Sequence, residues 1–335
     1  MAKSGKVNGH KPEQLMRSIG AGAGNLGIAD VPTGAAAAVA AVTGLRSQVP
    51  ADAHTAPYLG TQRLGNAVVI DDHGLILTVG YLLLECSHIE IADANDDWVE
   101  AAFVGYDFET GFGLARASRS LGLDPATLGK SGPLAVDDQM IVAGRGGQDN
   151  ALRVRVASRR PFSGYWEYYL DDAIFTVPAH PDWGGSALVA SDGAVVAIGS
   201  LLVEDANADE EPAQGNMFMP VDLFTAIRDE LVADGRVNRP PRPWLGMFTA
   251  EAQGVLVVTQ TTAGGPADDA GIEAGDLVVR VDGSAVRDLA DLYQRVWQMG
   301  ESGIDIPLTL VRHGASIEMS VESADRYDFF RTPRI

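Results

Sequence analysis

One seven-residue run, His180-Pro-Asp-Trp-Gly-Gly-Ser186, gathers a histidine, a carboxylate and a hydroxyl. These are the residue types of nucleophilic acyl transfer, in which a base takes the proton of an attacking hydroxyl and an acid orients the base. Two readings stand side by side: Ser186 is a nucleophile with His180 and Asp182 as helpers, or Ser186 is a turn residue and the other two decorate the loop. The remaining histidines, His10, His54, His73, His88 and His313, form no ligand-spaced pair. Cys86 is the single cysteine, which excludes an intramolecular disulfide and a thiolate cluster; its run, Tyr81-Leu-Leu-Leu-Glu-Cys, reads as core. Two acidic runs, 93–97 and 204–211, are oxygen-rich but lack the EF-hand order, so solvated loops are favoured over calcium sites. No metal or cofactor is expected. The aromatic group Tyr165-Trp-Glu-Tyr-Tyr169 reads as a strand with its tyrosines inside, or as an exposed ridge for a partner.

The formal charge is −20, with four lysines among the 25 basic residues. A negative field of that size repels phosphate backbones and anionic lipid, so neither nucleic acid nor a membrane surface is an expected partner. No window approaches the ~18 uninterrupted apolar residues of a spanning helix. Lys3 and Lys6 are followed by no apolar stretch within signal-peptide distance, which makes the cytoplasm the expected compartment.

These candidates need elements to position them. Residues 1–57, rich in Gly, Ala, Ser and Pro, read as a flexible N-terminal extension, with one short amphipathic helix at 12–19 that can order against a partner. Residues 58–235 alternate short apolar runs (67–70, 75–78, 88–92, 99–104, 140–143, 152–157, 173–177, 187–190 and 194–200) with turn signals such as Asp71-Asp-His-Gly and Ser191-Asp-Gly. That texture predicts an all-β barrel or sandwich. Val221, Phe224, Ile227 and Leu231 predict a closing helix between Pro220 and Gly235. A proline-rich linker at 236–243 leads to a mixed module over 244–325, with strands at 254–259, 276–281, 306–312 and 316–321 and helices at 265–270 and 288–299. Residues 326–335 are expected to be a tail.

The module at 244–325 resembles a PDZ domain of the kind fused to bacterial HtrA (DegP-like) proteases, most closely along Gly264-Gly-Pro-Ala-Asp-Asp-Ala-Gly-Ile-Glu-Ala-Gly-Asp-Leu-Val-Val-Arg-Val-Asp-Gly. The family's peptide-binding loop appears as Trp244-Leu245-Gly246-Met247. A glycine-containing turn of this sort can converge several N–H donors on a C-terminal carboxylate, and the strand after it offers a free edge to the peptide. The resemblance implies that Leu289, Leu292 and Val296 line one wall of the groove. The plainer alternative is that they are core.

The region before the linker also resembles the HtrA family, whose barrel is chymotrypsin-like and needs His, Asp and Ser. The expected architecture is therefore mostly β, a chymotrypsin-like double β-barrel followed by a small α/β PDZ domain. The family's histidine string, Gly-Tyr-Ile-Leu-Thr-Asn-x-His, reads here Gly74-Leu-Ile-Leu-Thr-Val-Gly-Tyr81; its aspartate string reads Val104-Gly-Tyr-Asp-Phe-Glu-Thr-Gly111; its serine string places Gly184 where serine stands. Tyr81, Gly111 and Gly184 thus occupy the three triad positions. A phenol is a poor general base at neutral pH and glycine brings no side chain, so the resemblance carries the expectation of a pseudoprotease. Asp182, in place of a family glycine, opposes a developing oxyanion, and Trp183 adds bulk to the cleft. The implied role is a scaffold or accessory subunit that binds a protein or peptide C-terminus through the PDZ groove, with the N-terminal extension as a second contact. The competing roles are a hydrolase using Ser186 and a chaperone-like holdase. Trimers formed by family members make a homo-oligomer a further expectation.

Overall fold

Short strands that cannot bury an apolar face alone do so here by closing on themselves. In the computed structural model, which describes residues 31–208 and 211–333, the first barrel comprises β1 (Val42–Gln48), β2 (Gln62–Val69), β3 (Leu75–Val79), β4 (His88–Ala92), β5 (Trp98–Tyr106) and β6 (Phe112–Ala117), in the closed order β1-β2-β3-β6-β5-β4. The second comprises β7 (Gln139–Ala143), β8 (Ala151–Gly164), β9 (Tyr168–Val177), β10 (Ala187–Val189), β11 (Val195–Val203) and β12 (Gly215–Pro220), closed as β10-β11-β12-β9-β8-β7. Closure leaves no open sheet edge. The Asp71 turn forms as its sequence predicts: the carboxylate accepts from the His73 and Leu75 N–H groups, both at 2.8 Å, and Gly74 takes φ +74°. Helix α1 (Val221–Asp234) buries Val221, Phe224, Ile227 and Leu231 and ends on Gly235 at φ +74°.

The expected flexible extension needs correcting over its second half. Thr33–Ala35 and Ala36–Ala40 are helical turns, and β1 pairs with both β2 and β4 to complete the first barrel. Small side chains that suggest flexibility serve close packing instead: Ala35, Val39 and Ala41 are fully buried. A Cβ on Gly193 would lie 2.0 Å from the Gly34 carbonyl oxygen, so the backbones there all but touch. Residues 1–30, and the helix expected at 12–19, lie outside the described residues. The expected tail is corrected as well. Arg326–Phe329 is a helical turn, and Phe329 and Phe330 pack on Trp244 at 4.7 and 5.4 Å between ring centroids.

The described residues divide into two compact units, residues 31–160 with 172–238, and residues 161–171 with 239–331. In the second, β13 (Met247–Ala252), β14 (Val255–Thr261), β15 (Leu277–Val281), β17 (Asp305–Arg312) and β18 (Ala315–Glu322) form an antiparallel sheet in that order, with β16 (Ser284–Ala285) pairing with β15. Helix α2 (Leu289–Gln298) is capped by the Asp288 carboxylate, which accepts the Asp291 N–H at 2.8 Å. Its Leu289, Leu292 and Val296 join Leu245, Met247 and Leu308 in the core of this unit. The aromatic group at 165–169 divides: Tyr168 and Tyr169 open strand β9, with Tyr168 buried as the strand reading expects, whereas 165–167 are not strand. Residues 165–167 are the turn between β8 and β9, and this tip belongs to the second unit.

The Gly193 contact yields a test of the corrected N-terminal boundary. Gly193→Ala forces a side chain into φ +89° and onto the Gly34 carbonyl, and should lower stability by about 2–3 kcal/mol. The shift in denaturant midpoint measures it; an unchanged midpoint would mean that residues 33–41 are not part of the folded barrel.

Candidate functional site

The barrel brings Tyr81, Gly111 and Gly184 into one neighbourhood. The Gly80 N–H donates to the Gly111 carbonyl at 2.7 Å, which joins the Tyr81 frame to the Gly111 frame. Tyr81 in turn lies against Gly184: a Cβ built there would sit 2.7 Å from the Tyr81 phenolic oxygen. The phenol thus fills the space in which a side chain at 184 would begin. It donates to the Ser200 carbonyl at 2.9 Å, and burial pushes its pKa well above the ordinary phenol value. Gly111 takes φ +84° and donates its N–H to Asp107 O at 2.8 Å. Cys86 is buried, as expected, and burial pushes its thiol up to about 12.

The second candidate constellation comes apart in detail. His180 is fully buried. Its Nδ1 accepts the Asp182 N–H at 3.0 Å, which leaves the proton on Nε2 to be donated to the Asn150 carbonyl at 3.1 Å. Both ring nitrogens are therefore occupied, and burial lowers the pKa of the ring. Ser186 is fully buried too, with its hydroxyl donating to the Trp183 carbonyl at 2.9 Å. The Asp182 N–H, a donor a developing oxyanion would need, is spent on His180. Asn66 fixes the loop further: its N–H reaches the Gly184 carbonyl at 2.8 Å and its Nδ2 reaches the Asp182 carbonyl at 2.9 Å. What remains of the cleft is a cavity of about 360 Å³ whose walls include Asn66, Tyr81, Arg145, Asn150, Asp182 and Trp183.

In the second unit, the loop before β13 holds a carboxylate. Both oxygens of Glu167 accept backbone donors, one from Leu245 N–H at 3.1 Å and the other from Met247 N–H at 3.0 Å, and the Gly246 N–H adds to the set. Gly246 takes φ +73°, the left-handed turn that aims successive amides at one point. Burial raises the Glu167 pKa, against which the three amides and the Arg326 charge favour the ionised form. The expected loop residues therefore act through their backbones, since the Leu245 and Met247 side chains are core. Trp244 is a support and not a contact. Its N–H and carbonyl pair with Ala324 at 3.1 and 3.0 Å, and its ring lies under Phe329 and Phe330. Leu289, Leu292 and Val296 are 3%, 1% and 2% exposed and belong to the core cluster against which Tyr169 of the β8–β9 tip also packs.

Glu167 and Tyr293 join this loop although the sequence did not single them out. Tyr293 on α2 donates its hydroxyl to the Gly164 carbonyl at 2.7 Å and accepts the Glu167 N–H at 3.2 Å. The only local signal was one acidic residue inside an aromatic run.

A trypsin-like double barrel carrying a PDZ module is the class that these elements define. A family model of the trypsin-like peptidase domain matches residues 65–198, and one of the PDZ domain matches residues 243–322. Among similar proteins, serine endoprotease DegS of Escherichia coli is 26% identical over 280 residues, covering 78% of this chain and 77% of that protein. A probable periplasmic DegP-like serine endoprotease of Pseudomonas fulva is 26% identical over 274 residues, 78% of this chain and 55% of its own length. The solved structure of the HtrA-type protease AlgW with a tripeptide aligns over 90% of this chain and 97% of its own, with TM-score 0.50 and 20% identity. The chain is an HtrA-like trypsin-fold protein with a C-terminal PDZ domain.

The exclusion between Tyr81 and Gly184 is directly measurable. Gly184→Ser should destabilise the barrel by about 1–3 kcal/mol, and Tyr81→Phe, which removes the oxygen 2.7 Å away, should relieve part of that loss. A double-mutant cycle on denaturant midpoints reads the coupling, expected at about 0.5–3 kcal/mol; strict additivity would show that the two residues do not compete for space.

Proposed function

We propose that this chain is a pseudoprotease: an HtrA-family scaffold or accessory subunit that holds a partner protein through its PDZ groove and hydrolyses nothing. The observation that carries the reading is the Tyr81 phenol standing 2.7 Å from the first side-chain atom that Gly184 would need. A nucleophile cannot be placed there without moving the phenol, and a phenol with a raised pKa is no general base near neutrality. Removing a triad from subtilisin lowers turnover about a million-fold, and here none of the three positions carries a triad side chain. The geometry of His180 and Ser186 supports the same reading, because each is buried and hydrogen-bonded to a backbone carbonyl.

Binding is proposed from the loop at 244–247, whose amides are arranged for a carboxylate. A protein C-terminus presents that group at the end of an extended segment, and an added strand along β13 is the mode that fits. The N-terminal extension is proposed as a second contact, which would raise avidity without new affinity at either site.

Incubation of the full chain with denatured casein and a fluorophosphonate probe tests the absence of catalysis. No peptide release and no covalent adduct are expected at any pH from 6 to 9. Stoichiometric labelling of a serine in the 180–186 loop, or proteolysis abolished by Ser186→Ala, would overturn the proposal.

A further inference from the structure

The carboxylate-binding amides of the PDZ loop already hold a carboxylate from the same chain. We propose that Glu167 is a built-in ligand of this loop, so that the β8–β9 tip shuts the groove and a partner's C-terminal carboxylate opens it by competing for the same amides. The partner half of this statement rests on the binding role proposed above; the closure does not.

Four features make the tip an occupant and not a neighbour. Glu167 is 7% exposed, with each carboxylate oxygen on a separate loop amide. The Tyr165 carbonyl accepts the Thr249 N–H at 2.9 Å, so going from 165 to 167 on the tip runs from 249 back to 245–247 on the other side. That is the antiparallel sense of a strand added to β13. Tyr293 closes the opposite side from α2 through its bonds to Gly164 and Glu167. Side chains follow the backbone: the Tyr165 ring packs on Phe248 at 6.0 Å, and Tyr169 packs against the core of the unit.

Glu167 holds φ +57°, a left-handed conformation uncommon for a residue with a long side chain. Glycine or asparagine would form this turn with less strain. A glutamate there is explained by what its carboxylate reaches. Arg326 donates to the Glu167 carbonyl at 3.5 Å, and the occupant presents to the loop amides the same carboxyl group as a chain terminus.

Amide hydrogen exchange on the full chain tests the closure without any partner. In the native protein the Leu245 and Met247 amides should be protected; in Glu167→Gln and Glu167→Ala they should exchange at least 10-fold faster. The Val258 amide, bonded to the Asp276 carbonyl at 2.8 Å, should keep its protection, which separates opening from unfolding. Tyr293→Phe should move the loop amides in the same direction by a smaller factor. Equal Leu245 and Met247 rates in native and Glu167→Ala protein would overturn the proposal.

The opening is read with a mixture of octapeptides randomised at their last three positions, as free acids and as C-terminal amides. The apparent affinity of the free acids should rise on the order of 10- to 100-fold from native to Glu167→Ala protein, while the amides stay unchanged. Free-acid affinity that is the same in both proteins would overturn the gating. Faster exchange with no binding by any free acid would leave the closure standing and remove the C-terminus from the proposed function.

Discussion

Two groups cannot share one volume, and the barrel cleft turns on that constraint. The Tyr81 oxygen and a side chain at 184 are alternatives, 2.7 Å apart at their nearest atoms. The residues around them are tied to the same packing. A Cβ on Gly185 would meet the Asn66 carbonyl at 1.9 Å, Asn66 N–H holds the Gly184 carbonyl, and Thr78 Oγ1 donates to the Asn66 carbonyl at 2.7 Å. The loop is therefore a structural joint between β2, β3 and β11, whatever chemistry it does or does not support. The frames around Tyr81, Gly111 and Gly184 are thus solutions to packing, and packing does not depend on reactive chemistry at those positions.

In the PDZ unit the governing term is electrostatic. Taking a carboxylate out of water costs several kcal/mol, and charge-assisted hydrogen bonds to backbone amides return about 1.5–3 kcal/mol each. Glu167 has two such bonds in full geometry and a third amide nearby. Cost and return are thus of similar size. Burial is the larger influence on its titration: the Glu167 pKa is raised although the amides and Arg326 pull it down. Tyr293 adds a neutral hydrogen bond on either side of the turn, so the closure is shared between a carboxyl group on the loop amides and a phenol that holds the backbone.

Much of this organisation was legible in the sequence, and the parts that were not have physical reasons. The strands and turns that carry Tyr81, Gly111 and Gly184 could be read because a turn and its flanking strand are local in sequence. The PDZ strands and helices fell within one or two residues of the expected ranges because their apolar periods are clear; α2, for instance, spans Leu289–Gln298 against an expected 288–299. Strand β1 escaped, since Val-Thr-Gly-Leu-Arg-Ser-Gln carries little alternation and follows an alanine run whose burial depends on distant backbone. Strand β13 was legible only as the strand that follows the 244–247 loop, without bounds. Glu167 was illegible in principle from one sequence: it meets Leu245 across 78 positions, and nothing local distinguishes a glutamate aimed at amides from one facing solvent.

A tethered occupant competes differently from a free one. A group joined to its site by the same chain acts at an effective concentration in the millimolar range even when its intrinsic affinity is weak. A partner terminus must exceed that product of concentration and affinity before it enters. For a carboxyl group whose burial offsets much of its bonding, the product stays modest, so a ligand of micromolar intrinsic affinity, worth about 8 kcal/mol, suffices to displace it. The same arithmetic penalises weak, promiscuous termini, which cannot overcome even a modest internal competitor. A glutamate is suited to this role in a way that an aliphatic residue is not. An apolar plug would gain steadily from burial and stay closed, whereas a charged group that surrenders hydration to enter recovers it on leaving, and its release returns three amides to the incoming carboxylate.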